Sequence, residues 1–161
     1  MKAIVIDGYN AIHKIPSLRK QLDISLYNAR SEITKLGLEY KRLTGGVAKV
    51  VVVFDGQDRY AINTVWKKEE THVFSKTGKG DQEIIRVIRS LADRYDVIVV
   101  TDDNYVRNNA RAHNAGVIAV KDFMQKLAKK NQSKLPCIDD EKISHEKAKE
   151  INKELKDYWR I

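Results

Sequence analysis

The sequence predicts an α/β protein, a three-layer α/β/α sandwich with a mainly parallel central sheet. Short unbroken apolar runs rich in β-branched residues recur along the chain, as strands buried on both faces do. Between them lie segments whose apolar residues fall three and four apart, the stripe of an amphipathic helix. Several of the apolar runs stop abruptly at an acid. Strands alternating with helices in this way build a layered sheet with helices on its faces.

The first run is Ala3 to Ile6, which ends in Asp7-Gly8-Tyr9-Asn10. Gly8 lets the chain turn sharply away from the sheet. Ala11 to Asp23, with Pro16 and the basic residues His13, Lys14, Arg19 and Lys20, reads as a short helix or loop at the sheet rim. Ser25 can cap the next helix, whose stripe is Leu26, Ala29, Ile33, Leu36, Tyr40 and Leu43. Gly45-Gly46 stops it. Val47 to Phe54 is the second strand, again ending in an acid and a glycine, Asp55-Gly56.

Gln57 to Glu70 reads as a loop or short helix carrying Arg59, Lys67 and Lys68 beside Trp66. Thr71 to Ser75 is a short strand, and Lys76 to Gly80 a basic loop. Asp81 opens a helix whose buried stripe is Ile84, Ile88, Leu91 and Tyr95. Val97 to Val100 is the fourth strand, followed by Thr101-Asp102-Asp103. A helix over about 104–114 leads through Gly116 to a last strand, Val117 to Val120, and to a helix from Lys121 to Lys130. Asn131 to Asp140, with Pro136, reads as a linker. Ser144 caps a final amphipathic helix to about Trp159. The expected organisation is one main domain over 1–136 and a C-terminal extension with an amphipathic helix over 137–161.

Composition narrows the function classes. The 161 residues are 42% hydrophobic and 32% charged, a soluble globular profile. Thirty Lys and Arg against 22 Asp and Glu give a net charge of +8, which points to a polyanion, RNA or DNA first. A single cysteine, Cys137, excludes an internal disulfide framework and a cysteine-based zinc site. No stretch has the make-up of a signal peptide or a membrane span. The expectation is a cytoplasmic protein.

Asp7, Asp55, Asp81 and the Asp102-Asp103 pair each follow a strand or open the helix after one. In a parallel sheet those ends share one edge, where open α/β sheets place their ligands. Taken singly, each acid also suits a helix cap or a turn. Taken together they crowd like charges, which costs stability unless a cation sits among them. Hard oxygen donors of this kind select Mg²⁺ or Mn²⁺, and with such ions the reaction class is phosphoryl-ester cleavage. Other α/β sites fail on spacing: there is no Walker A motif and no Gly-x-Gly-x-x-Gly after a strand, and Tyr9 stands where an aspartyl phosphatase would carry its second acid.

Ile6-Asp-Gly-Tyr-Asn-Ala-Ile12, Val53-Phe-Asp-Gly56, Gly80-Asp81 and Val99-Val-Thr-Asp-Asp103 together resemble the YacP-like NYN-domain ribonucleases of the PIN-like nuclease superfamily. The likeness spans about residues 1 to 130 and leaves out the last 25 or so. It implies a PIN-like fold and a metal-dependent endoribonuclease acting on single-stranded RNA or mRNA. By that resemblance Asp7, Asp81 and Asp103 are the main metal carboxylates, Asn10 orients a ligand or the scissile phosphate, and Asp55 and Asp102 are auxiliary acids. The alternative on the same fold is a non-catalytic RNA-binding or ribosome-docking module.

For holding RNA, the expected groups are Arg59, Lys67, Lys68, Lys76, Lys79, Arg107 and Arg111, the last two four apart on one helix face. Tyr9, Trp66 and Tyr105 are candidates to stack on bases, with packing the equally simple role for Tyr9 and Trp66. His13 and His113 read as structural or surface residues. Expected partners are RNA and the ribosome, with the chain a monomer or homodimer.

Overall fold

The computed structural model describes residues 1–56, 70–74 and 79–132, with 70–74 and 130–132 as backbone. The chain divides into two compact units, Met1–Lys130 and Asn131–Ile161, and the sheet belongs to the first. In order, the elements are β1 (Lys2–Asp7), α1 (Gly8–Lys14), α2 (Pro16–Ile24), α3 (Leu26–Thr44), β2 (Val47–Phe54), β3 (Glu70–Phe74), α4 (Gly80–Ala92), β4 (Asp96–Val100), α5 (Asn104–Ala112), β5 (Gly116–Ile118) and α6 (Val120–Gln132).

Five strands form one sheet in the order β3-β2-β1-β4-β5, every neighbouring pair parallel. Side chains alternate across a strand, so each run feeds two cores. Ile4, Ile6, Val50, Val52, Phe54 and Val100 pack on one face beneath α1, α2, α3 and α6. Ala3, Val5, Val51, Val53, Val97 and Val99 pack on the other beneath α4 and α5. This is the α/β/α sandwich that the double-sided apolar runs predict.

Several boundaries differ from the sequence reading, each for a physical reason. The rim segment after β1 is two helices, α1 and α2, because Pro16 sits at the first position of α2, where a missing N–H costs nothing. Gly8 makes no loop turn; it begins α1, and its role is closeness. A Cβ there would lie 2.8 Å from the Val53 carbonyl oxygen and against the Phe54 ring. Gly45 and Gly46 do end α3, with φ of 67° and 69°. The last strand is shorter than expected: β5 stops at Ile118, and Val120 starts α6, which runs on through Asn131 and Gln132 into the expected linker. The strand expected from Thr71 is observed as β3, a parallel edge strand. The rest of the expected linker and the final helix from Ser144 lie outside the described residues.

Candidate active site

The sheet order changes direction at β1. The chain runs outward from β1 to β2 and β3, then returns to lay β4 on β1's other side. The helix after β1 packs on one face and the helix after β4 on the other. The carboxyl ends of β1 and β4 therefore open a crevice, the usual ligand position in such sheets.

Asp7 ends β1 at its edge. Its residue parity is that of Ala3 and Val5, so it belongs to the face under α4 and α5. Its carboxylate caps α1, with Oδ1 accepting from the Asn10 N–H at 3.3 Å, while Oδ2 accepts from the Thr101 hydroxyl at 2.9 Å. Asp103 caps α5 through the Val106 N–H at 2.9 Å, and its own N–H donates to the Thr101 hydroxyl oxygen at 3.0 Å. Asp55 follows Phe54 on the parity of Val51 and Val53, and accepts from the Lys79 N–H at 3.4 Å. Asp81 lies in the first turn of α4, where the helix dipole favours an acid. Gly80 brings that turn close: a Cβ on Gly80 would stand 2.9 Å from the Asp55 Cβ.

These four acids line one cleft of about 260 Å³ together with Asn10, His13, Tyr9 and Gly80. Burial pushes the Asp7 carboxyl up to about 6; its bonds to Thr101 and the Asn10 N–H pull the other way, and Asp81 and Asp103 push up further. Asp81 is raised too, by desolvation and then by the carboxylates of Asp103 and Asp55. Among the described residues no Lys or Arg side chain pairs with Asp7, Asp81 or Asp103. A crowded, partly desolvated set of hard oxygen donors fits a divalent cation in charge and chemistry. No three acidic or histidine side chains among the described residues converge as a complete cage. Mg²⁺ asks for less, since it keeps several waters and takes one or two carboxylates directly.

Asp102 is not brought into this cleft. It shares parity with Val100, so it turns to the opposite face, where its Oδ1 accepts from the Val120 N–H at the start of α6, at 3.1 Å. Its backbone N–H donates to Asn10 Oδ1 at 3.0 Å, which ties Asn10 to the strand end. Tyr9 is held for packing: its hydroxyl accepts from both Arg30 Nε and Nη2, its ring meets Phe54 edge-on at 5.5 Å, and the Arg30 guanidinium lies 5.6 Å from its centre.

The expected RNA-holding groups are spread out. Lys79 is exposed immediately before α4. Arg107 and Arg111 lie on α5, half-buried and exposed respectively, and neither lines the cleft. Tyr105 is exposed on the same helix. His113 accepts from Arg89 at 3.0 Å, away from the acids. Arg59, Trp66, Lys67, Lys68 and Lys76 lie outside the described residues.

Two residues to which the sequence reading gave no site role, Thr101 and His13, brace or line the cleft. Thr101 is completely buried and joins Asp7 to Asp103. A hydroxyl at the end of an otherwise apolar strand, two residues before a capping acid, was the available signal. His13 stands on the cleft wall because it is three residues beyond Asn10 on α1.

A family model described as a YacP-like NYN domain matches residues 4–160, and so includes the terminal segment that the motif resemblance omits. No curated protein matches the chain. Two similar solved structures are both of Rae1 (YacP) from Bacillus subtilis. One, a variant with tryptophan replaced by leucine, has a TM-score of 0.67 and 21% identity, covering 82% of this chain and 77% of that one. The other has a TM-score of 0.65 and 20% identity over 99% of this chain and 95% of that one. Likeness at this identity is a likeness of fold, and that fold is the PIN-like α/β sandwich.

Proposed function

The chain belongs to the YacP-like NYN domain family, a family of RNase-like domains, and from that premise we propose that it is a metal-dependent endoribonuclease. It hydrolyses phosphodiester bonds in single-stranded RNA or mRNA. The observation that carries this reading is the convergence of Asp7, Asp55, Asp81 and Asp103 from four segments on one cleft.

Asp7, Asp81 and Asp103 would hold Mg²⁺ or Mn²⁺, with Asp55 as an auxiliary acid. When bound, such an ion activates water and stabilises developing negative charge on the phosphate. The chain's own residues do the rest. Thr101 and the Asn10 N–H fix the Asp7 carboxylate in one orientation. Asn10 accepts through Oδ1 from Asp102, which leaves its side-chain NH₂ to donate to a phosphate oxygen. Asp103 is locked in place by capping α5. Lys79, exposed immediately before α4 and next to Gly80 of the cleft, would offset part of the charge of the incoming strand.

The test is cleavage of a labelled single-stranded RNA with Mn²⁺ or Mg²⁺, beside Asp7→Asn and Asp103→Asn. Cleavage that needs the metal and disappears in both variants is the expected result. RNA binding with no cleavage by the wild type would favour the binding-module reading; cleavage that persists in both variants would remove the acidic cleft from the chemistry.

A further inference from the structure

Behind the Asn10–Asp102 link lies a second hollow, of about 790 Å³, between the start of α2 and the first turns of α6. Its walls are apolar, with Ile15, Pro16, Val120 and Met124 among them, and Lys14 and Lys121 stand at its margin. Asp102 is its carboxylate. The hollow is separate from the acidic cleft but adjoins it through sequence neighbours. Asp103 faces the cleft and Asp102 the hollow, and Asn10 lines the cleft while accepting the Asp102 N–H.

We propose that this hollow is a guanine-selective base subsite, which takes a nucleobase splayed out of the RNA strand while the neighbouring phosphates cross toward the acidic cleft. The proposal rests on the ribonuclease reading for its place on the substrate. Three features of the hollow carry it. Its size is that of ligand pockets in general, which are apolar with a few placed polar groups. Single-stranded RNA is read by bases turned outward, held by their faces and hydrogen-bonded on their edges. Pro16 and Met124, both accessible, offer aliphatic and thioether surface for a ring face, backed by the buried Ile15. Lys14 and Lys121 supply positive charge for the sugar-phosphate chain, which the acidic cleft by itself would repel.

The selectivity follows from Asp102. An ionised carboxylate only accepts hydrogen bonds. Guanine presents two adjacent donors on its pairing edge, N1–H and the 2-amino group. Adenine and cytosine place a ring acceptor beside their single amino group, and uracil flanks one N–H with two carbonyls. Guanine alone meets a carboxylate with two donors and no opposing lone pair. Asp102 Oδ1 already takes the Val120 N–H, and a carboxylate oxygen has a second lone pair. Among the described residues neither lysine pairs with Asp102.

The measurement is titration of the metal-free full-length protein with GMP, AMP, CMP and UMP, followed by NMR at the methyls of Met124 and Ile15. Without metal the acidic cleft holds no phosphate, so catalysis does not enter the readout. GMP should bind about tenfold tighter than AMP, the discrimination expected of one bidentate base contact. Asp102→Asn should erase that preference, and Lys121→Gln should weaken all four nucleotides alike. Ala128→Trp, at an exposed position lining the hollow, should block them all. Equal binding of GMP and AMP by the wild type, or a GMP preference that survives Asp102→Asn or Ala128→Trp, would overturn the proposal. Absence of RNA cleavage by the metal-loaded wild type, with GMP selectivity intact, would count against the ribonuclease reading and leave the base site standing.

Discussion

The Thr101 hydroxyl donates to Oδ2 of Asp7 across 94 residues of sequence, and the Thr101 hydroxyl oxygen in turn accepts the N–H of Asp103. One buried side chain thus sets the geometry of two acids, one at the end of β1 and one capping α5. Replacing Thr101 with Val keeps the shape but deletes both bonds. Stability should fall by about 1–3 kcal/mol, the cost of stranding partly buried polar groups. The Asp7 carboxyl, deprived of a donor that favours its charged form, should move further above 6. Thr101→Ser should restore both. Urea unfolding and NMR titration of the Asp7 side chain would read the two effects.

Metal-free, the protein should lose stability as pH rises because of Asp7. Its carboxyl stands at about 6 against an ordinary 3.8. Between those values the native state keeps a proton that the unfolded chain has released, so the native state is favoured below about pH 4 and that advantage is lost as pH rises through 6. The full span corresponds to about 3 kcal/mol. Asp7→Asn carries no such charge and should be the more stable protein at pH 7 by on the order of 1–2 kcal/mol, after losing part of the Thr101 contact. The gap should close by pH 4. Chemical denaturation of both proteins across that range, in EDTA, decides it; a constant gap would mean that Asp7 is not desolvated.

Mn²⁺ should reverse that order. A cation bound only by the native state stabilises it by about 2.7 kcal/mol at a hundredfold excess over its dissociation constant. The wild type should therefore melt several degrees higher with Mn²⁺ at pH 7, while Asp7→Asn and Asp81→Asn should respond weakly. A thermal shift equal in all three proteins would place the ion elsewhere.

Gly8 and Gly80 should fail differently. Gly8→Ala drives a Cβ against the Phe54 ring and the Val53 carbonyl, both fixed parts of the sheet. It should destabilise by about 1–3 kcal/mol or more. Gly80→Ala meets the Asp55 side chain at the mouth of the cleft. There the first turn of α4 can shift, so the fold should persist while Asp55 and Asp81 move apart and the Mn²⁺ thermal shift shrinks.

Tyr9→Phe should cost about 1 kcal/mol, because Arg30 loses its hydroxyl partner. It should leave RNA affinity unchanged, since the Tyr9 ring is committed to Phe54 and Arg30. A clear drop in affinity would return Tyr9 to a base-stacking role.

Apolar pattern and the placing of acids along the chain are enough for the layered fold and for which segments deliver carboxylates. Uninterrupted apolar runs such as Val50 to Val53 have no polar face to show water, so they must be covered on both sides, and parallel strands so covered bring their carboxyl ends to one edge. Asp7, Asp55, Asp81 and Asp103 were legible on that ground. Which of two adjacent acids faces the cleft is set by the packing beyond β4. The apolar pattern treats Asp102 and Asp103 alike and the family resemblance only ranks Asp103 first; the chain leaving β4 turns Asp102 toward Val120 and α6, while Asp103 turns back over Thr101 to cap α5. Side-chain direction follows a register of one residue, and hydrophobic pattern locates a strand's end less finely than that. The Thr101 bridge and the hollow beside Asp102 arise in the same way. Both are made by residues far apart in the chain, whose meeting is set by how β1, β4 and α6 pack.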